Sequence, residues 1–110
     1  MIKIDGKTIK MNEGDYGEII TFNLTSGNIL PTDDITFIIE NEKNKEQILT
    51  KKVDIINQNT FELTFTQNES NQLKINKYLW GILWKRDGEL IDTLQINNYL
   101  VVERGLNNGD

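Results

Sequence analysis

The chain has 110 residues, 37% of them hydrophobic and 26% charged, with a formal net charge of −5 and a pI near 4.7. That is the length of one ordinary domain with enough apolar material for one core, and its acidity repels a phosphate backbone, because cations adjoin only in pairs such as Lys51–Lys52 and Lys85–Arg86. Cysteine and histidine are both absent, which excludes disulfides, thiol chemistry, imidazole catalysis and the usual zinc ligands.

From the N-terminus, Ile2, Ile4 and Ile9 flank Asp5-Gly6, the pattern of a small hairpin or a split first strand. This start builds no signal-peptide core, and no run of apolar residues is long enough for a membrane span, so the expectation is a protein made in a cytoplasm-like compartment with no membrane partner. Alanine is missing while Ile, Asn and Lys number 16, 14 and 10. The composition fits AT-rich codons, and it withholds the best helix former while supplying β-branched residues.

Period-two alternation then dominates. Ile20, Phe22 and Leu24 predict one strand, and Ile35, Phe37 and Ile39 a second beyond Pro31, whose missing N–H is harmless in a connection. After a polar bend at 42–46, a longer strand is expected over 47–56 with Leu49, Val53 and Ile55 on one face; a turn at 57–59 leads to another strand through Phe61, Leu63 and Phe65. Thr66-Gln67-Asn68-Glu69 is a capping box, predicting a helical turn or two near 67–74. Asp87-Gly88 between apolar runs predicts a two-residue hairpin that pairs Arg86 with Glu89, Trp84 with Ile91 and Ile82 with Thr93. A break at 95–98 and a last strand over 99–103 complete the pattern.

The fold class expected is all-β: an immunoglobulin-like antiparallel sandwich of about seven to nine short strands, forming one domain over 1–104 with a flexible tail at 105–110. The core set is Ile20, Phe22, Ile35, Phe37, Phe61, Leu63, Phe65, Trp80 and Ile82.

No constellation points to catalysis, a metal or a cofactor. Asp33, Asp34, Asp87 and Asp92 sit before a strand or in turns, where aspartate bonds local backbone and stays solvated. No Gly-x-Ser-x-Gly elbow and no phosphate-cradling loop is present. The rings of Tyr78, Trp80, Trp84 and Tyr99 could stack on a sugar if exposed, but an alternating strand in a sandwich is where large rings fill the core, and that is the reading preferred here. The second face of the same strand carries Leu79 and Leu83, with Leu90 and Leu94 beside them across the hairpin. This leucine patch is either a contact for another protein or the floor under a folded-over N-terminal hairpin.

Tyr78-Leu79-Trp80 after the capped turn reads like the tyrosine corner of immunoglobulin-like sandwiches, with Trp80 in the place of the usual cysteine. The series Asp33-Asp-Ile-Thr-Phe37, Phe61–Thr66, Asn68-Glu69-Ser70, Tyr78-Leu-Trp80-Gly-Ile82, Asp87-Gly88, Thr93 and Val101-Val102 resembles the N-terminal domain of phage baseplate upper proteins and related small tail proteins of Gram-positive phages and prophages. The family has Asp-Thr where this chain has Glu69-Ser70. The resemblance implies a non-enzymatic virion part that binds other tail, baseplate or fibre proteins or further copies of itself. The alternative class is a carbohydrate-binding or other small interaction module.

Overall fold

The computed structural model describes residues 2–104; the tail expected at 105–110 lies outside them. Nine strands form two sheets: β1 (Lys3–Asp5), β2 (Thr8–Asn12), β3 (Ile19–Asn23), β4 (Asp34–Asn41), β5 (Gln47–Lys52), β6 (Asp54–Asn57), β7 (Thr60–Thr64), β8 (Asn76–Arg86) and β9 (Glu89–Glu103). One sheet runs β1-β2-β9-β8-β4-β5 and the other β3-β7-β6. The chain is thus an all-β sandwich of immunoglobulin-like arrangement. It departs from the purely antiparallel expectation at one place, where β2 lies parallel to β9 with Ile9 beside Leu100.

The alternation predicted from sequence works as stated. Ile35, Phe37 and Ile39 of β4 face inward and are buried, as are Ile20 of β3, Phe61 and Leu63 of β7, Phe65 just beyond it, and Trp80 and Ile82 of β8, with Phe22 partly buried against them. Rings stack within each sheet, Trp80 on Phe37 at 5.5 Å between centroids and Phe22 on Phe61 at 5.2 Å, and they meet across the sandwich where Phe22 lies 5.9 Å from Trp80 and Phe65 meets Phe37 edge-on at 6.0 Å. Such pairs add specific geometry to the large area the rings bury.

The expected long strand at 47–56 is two strands in different sheets. Leu49, Val53 and Ile55 do pack on the core, but the chain crosses between sheets at Val53, whose N–H donates to the carbonyl of Ile35. One core-facing stripe can serve both sheets because each sheet presents its inner face to the same core.

The capping box is formed as predicted. Thr66 caps α1 (Gln67–Ser70), its Oγ1 accepting from Glu69 N, while the Glu69 carboxylate accepts from Thr66 N. Burial works against the Glu69 charge, but hydrogen bonds from Lys51 Nζ at 2.7 Å and from Thr66 N outweigh it and hold the carboxyl below 4.5. The tyrosine corner closes next door, where Tyr78 donates its hydroxyl to the Lys74 carbonyl at 2.9 Å. Burial, with that bond opposing it, pushes the phenol above 10.0.

Candidate functional site

Both candidate sets from the sequence lie on β8 and its neighbour β9, so their fate depends on the register of this hairpin. The turn forms at Asp87 and Gly88, both with positive φ, and Arg86 pairs with Glu89 as expected. Beyond that the register departs from prediction. Trp84 lies opposite Asp92 instead of Ile91, and Ile82 opposite Gln95 instead of Thr93, because β9 carries extra residues at bulges near Ile91, Leu94 and Ile96-Asn97. The break expected at 95–98 is the last of these bulges, with Asn97 at φ 58°, inside one continuous strand.

The bulges redistribute the leucines. Leu79 and Leu83 take the outer side of β8, and Leu90, paired with Lys85, joins them. Leu94 does not: the extra residue at its position turns it toward the core cluster, where it packs half-buried. In its place Ile96 comes onto the outer side, a residue the sequence reading passed over because the bulge has no signature beyond the Asn97-Asn98 pair.

The N-terminal hairpin does not fold over this patch. It adds to the sheet edgewise, β2 beside the end of β9 and β1 beyond, so the outer face stays open. There Ile96 is 66% exposed, Leu90 55% and Tyr99 41%. Between them a groove of about 260 Å³ runs over Gly81, walled by Ile38, Leu79, Leu83, Thr93 and Ile96. Glycine is required at its floor, since a Cβ at 81 would lie 2.8 Å from the Gln95 carbonyl oxygen of bulged β9. The first eleven residues of β9 have no strand on their far side among the described residues, because β2 covers only Leu100–Glu103.

Of the aromatic set, Tyr78, Trp80 and Trp84 are buried and only Tyr99 reaches the surface, with Lys77 Nζ 4.0 Å over its ring. The indole N–H of Trp80 donates to the carbonyls of Lys7 and Tyr99, each at 3.1 Å. These rings therefore hold the sandwich together and present no row of faces to a ligand.

Asp33 corrects the expectation of solvated turn carboxylates. Its side chain is fully buried and accepts from Arg86 Nε and Nη2 at 2.9 Å, Trp84 Nε1 at 2.8 Å and Leu30 N at 2.8 Å. The Arg86 hydrogen bonds above all, with those from Leu30 and Trp84 and against the cost of burial, hold the carboxyl far below its ordinary 3.8. Sequence could assign the bond to Leu30 N as a local turn bond; the partners 51 and 53 residues away were invisible to it. A carboxylate that takes four donors, one on Oδ1 and three on Oδ2, is a clamp between the loop before β4 and the β8–β9 hairpin. Asp34, beside it, is half-exposed and pairs with Lys52 at 3.1 Å, and Asp87 and Asp92 are exposed. Among the described residues no group of three metal-binding side chains comes together.

Compared with known proteins, the chain matches no family model, no curated protein and no solved structure.

Proposed function

We propose that this protein is a non-enzymatic assembly component of a bacteriophage or prophage tail or baseplate, located in the virion and working by protein–protein contact. The observation that carries the contact role is the open outer face of the six-stranded sheet, where Leu90, Ile96 and Tyr99 flank an apolar groove at the middle of the fold. Exposed apolar residues gathered beside an apolar groove on one sheet face make a surface that a partner can cover. The assignment to a phage particle rests on the likeness of the motifs from Asp33 to Val102 to those of baseplate upper proteins. The carbohydrate-binding alternative has less support, since three of its four rings belong to the core.

The test is to purify virions from a lysogen carrying the gene and measure the protein by mass spectrometry. The expected result is a fixed copy number relative to other tail proteins, reduced in an Ile96→Glu variant. Absence of the wild-type protein from the particle would overturn the proposal.

A further inference from the structure

We infer that the outer face of the large sheet binds a second copy of this chain, face to face about a two-fold axis that crosses β8 at the level of Ile82. The inference rests on the reading of this face as a contact surface and names its occupant. A two-fold interface must be self-complementary, since each patch meets its own image. The register fixes which residues then meet.

On the outer side, the level of Lys85 carries Leu90 and Asp34, the level of Leu83 carries Thr93, the level of Gly81 carries Ile96, and the level of Leu79 carries Tyr99 and Glu40. An axis lying in the plane of the face, perpendicular to the strands at Ile82, exchanges these levels pairwise. Leu90 of one copy then covers Tyr99 of the other, and Ile96 enters the Leu83–Thr93 end of the opposite groove. Lys85 arrives beside Glu40. Asp34 is paired with Lys52, and Lys77, which lies over Tyr99, is paired with Glu42 within the same copy, so at these two levels Lys85 and Glu40 are the charges to be matched, and antiparallel stacking brings them together. Neither Lys85 nor Glu40 is in an ion pair among the described residues. An axis along the strands would instead set Lys85 against Lys85.

The area is adequate for a modest dimer. Strands β5, β4, β8 and β9, spaced ~4.8 Å with about eight residues each at ~3.3 Å per residue, present on the order of 500 Å² in projection. Two such faces bury about 1,000 Å², the lower limit for a specific interface.

Sedimentation velocity on the purified chain over a concentration series tests this, with circular dichroism to verify the fold of each variant. The wild type is expected to pass from monomer to dimer. Ile96→Glu, at an exposed site that tolerates polarity, should weaken the dimer about tenfold or more without changing the melting curve. Glu40→Lys and Lys85→Glu should each weaken it, and the double variant should recover it, a rescue that a merely structural role of either residue does not produce. A dimer that survives Ile96→Glu, or a charge swap that fails to restore binding, overturns the inference. A wild type that stays monomeric overturns the second copy as occupant; the contact face itself is decided separately by incorporation of Ile96→Glu into virions.

Discussion

On the inner side of β8 stand Tyr78, Trp80, Ile82 and Trp84; on its outer side stand Leu79, Gly81, Leu83 and Lys85. The inner row is sealed by the second sheet, and each of its polar atoms is bonded, the Tyr78 hydroxyl to a carbonyl, the Trp80 indole to two and the Trp84 indole to Asp33. The outer row is apolar up to Leu83, with Leu79 itself covered, yet its neighbours Leu90, Ile96 and Tyr99 are left in solvent. Hydrophobicity alone therefore does not separate core from open sheet face. What separates them is closure, meaning packed neighbours and satisfied polar groups on one side, and a groove with a glycine floor on the other.

The comparison is broken most severely from the inner side. Trp80→Ala should cost about 3–5 kcal/mol, a large part of a total stability of roughly 5–15 kcal/mol, read as a lower urea midpoint. If Trp80→Ala unfolded no more readily than Ile96→Ala, the assignment of sides would be inverted.

Asp33→Asn should come next. Asn cannot satisfy four donors as a carboxylate does, so the variant melts lower at neutral pH. It also changes the acid response. Because Asp33 is held below 3.8 in the folded chain, the unfolded chain binds the proton first; stability is fully present above the unfolded value and is lost as pH falls through the folded one. The melting temperature of the wild type should therefore drop on acidification below about pH 4, and Asp33→Asn should flatten that drop. Equal slopes in the two proteins would show that the clamp is not the acid-sensitive element.

Gly81→Ala tests the boundary between the two sides. Its Cβ would press on the Gln95 carbonyl, and displacing that strand should cost about 1–3 kcal/mol and distort the groove. A neutral result would mean that the β9 bulge yields easily. At the small end, Leu90→Ser and Ile96→Ser should change stability by less than about 0.5 kcal/mol while weakening association, which thermal melts and sedimentation read separately.

Alternation alone was enough to place the core residues of β3, β4, β7 and β8, because a period-two pattern with one covered face leaves no other register. The capping box and the Asp87-Gly88 turn were equally legible, both being local chemistry. The open outer face is legible in part. Leu79, Leu83 and Leu90 emerge from simple counting along the hairpin, but counting fails once β9 gains residues over β8, so Leu94 leaves the face, while Ile96, inside the expected break at 95–98, lies on it. Bulges answer to the packing of distant strands, here the approach of Gln95 to Gly81, and carry only a faint local signature. The burial of Asp33 was hidden for the same reason, since Trp84 and Arg86 reach it only after the sheet has formed.

The parallel pairing of β2 with β9 binds Ile9 to Leu100 and Met11 to Val102, joining the two ends of the described fold. Closing so long a loop costs more entropy than the shorter closures of the β4–β5 and β8–β9 hairpins, and it is expected to follow them. The first strands of the chain are thus the last to be secured in the large sheet, and the amides of β2 should exchange with solvent sooner than those of β4 and β8. A chain cut before Leu100 would leave Ile9 and Met11, both buried in the sandwich, with only β1 beside their strand and no link to the rest of the sheet.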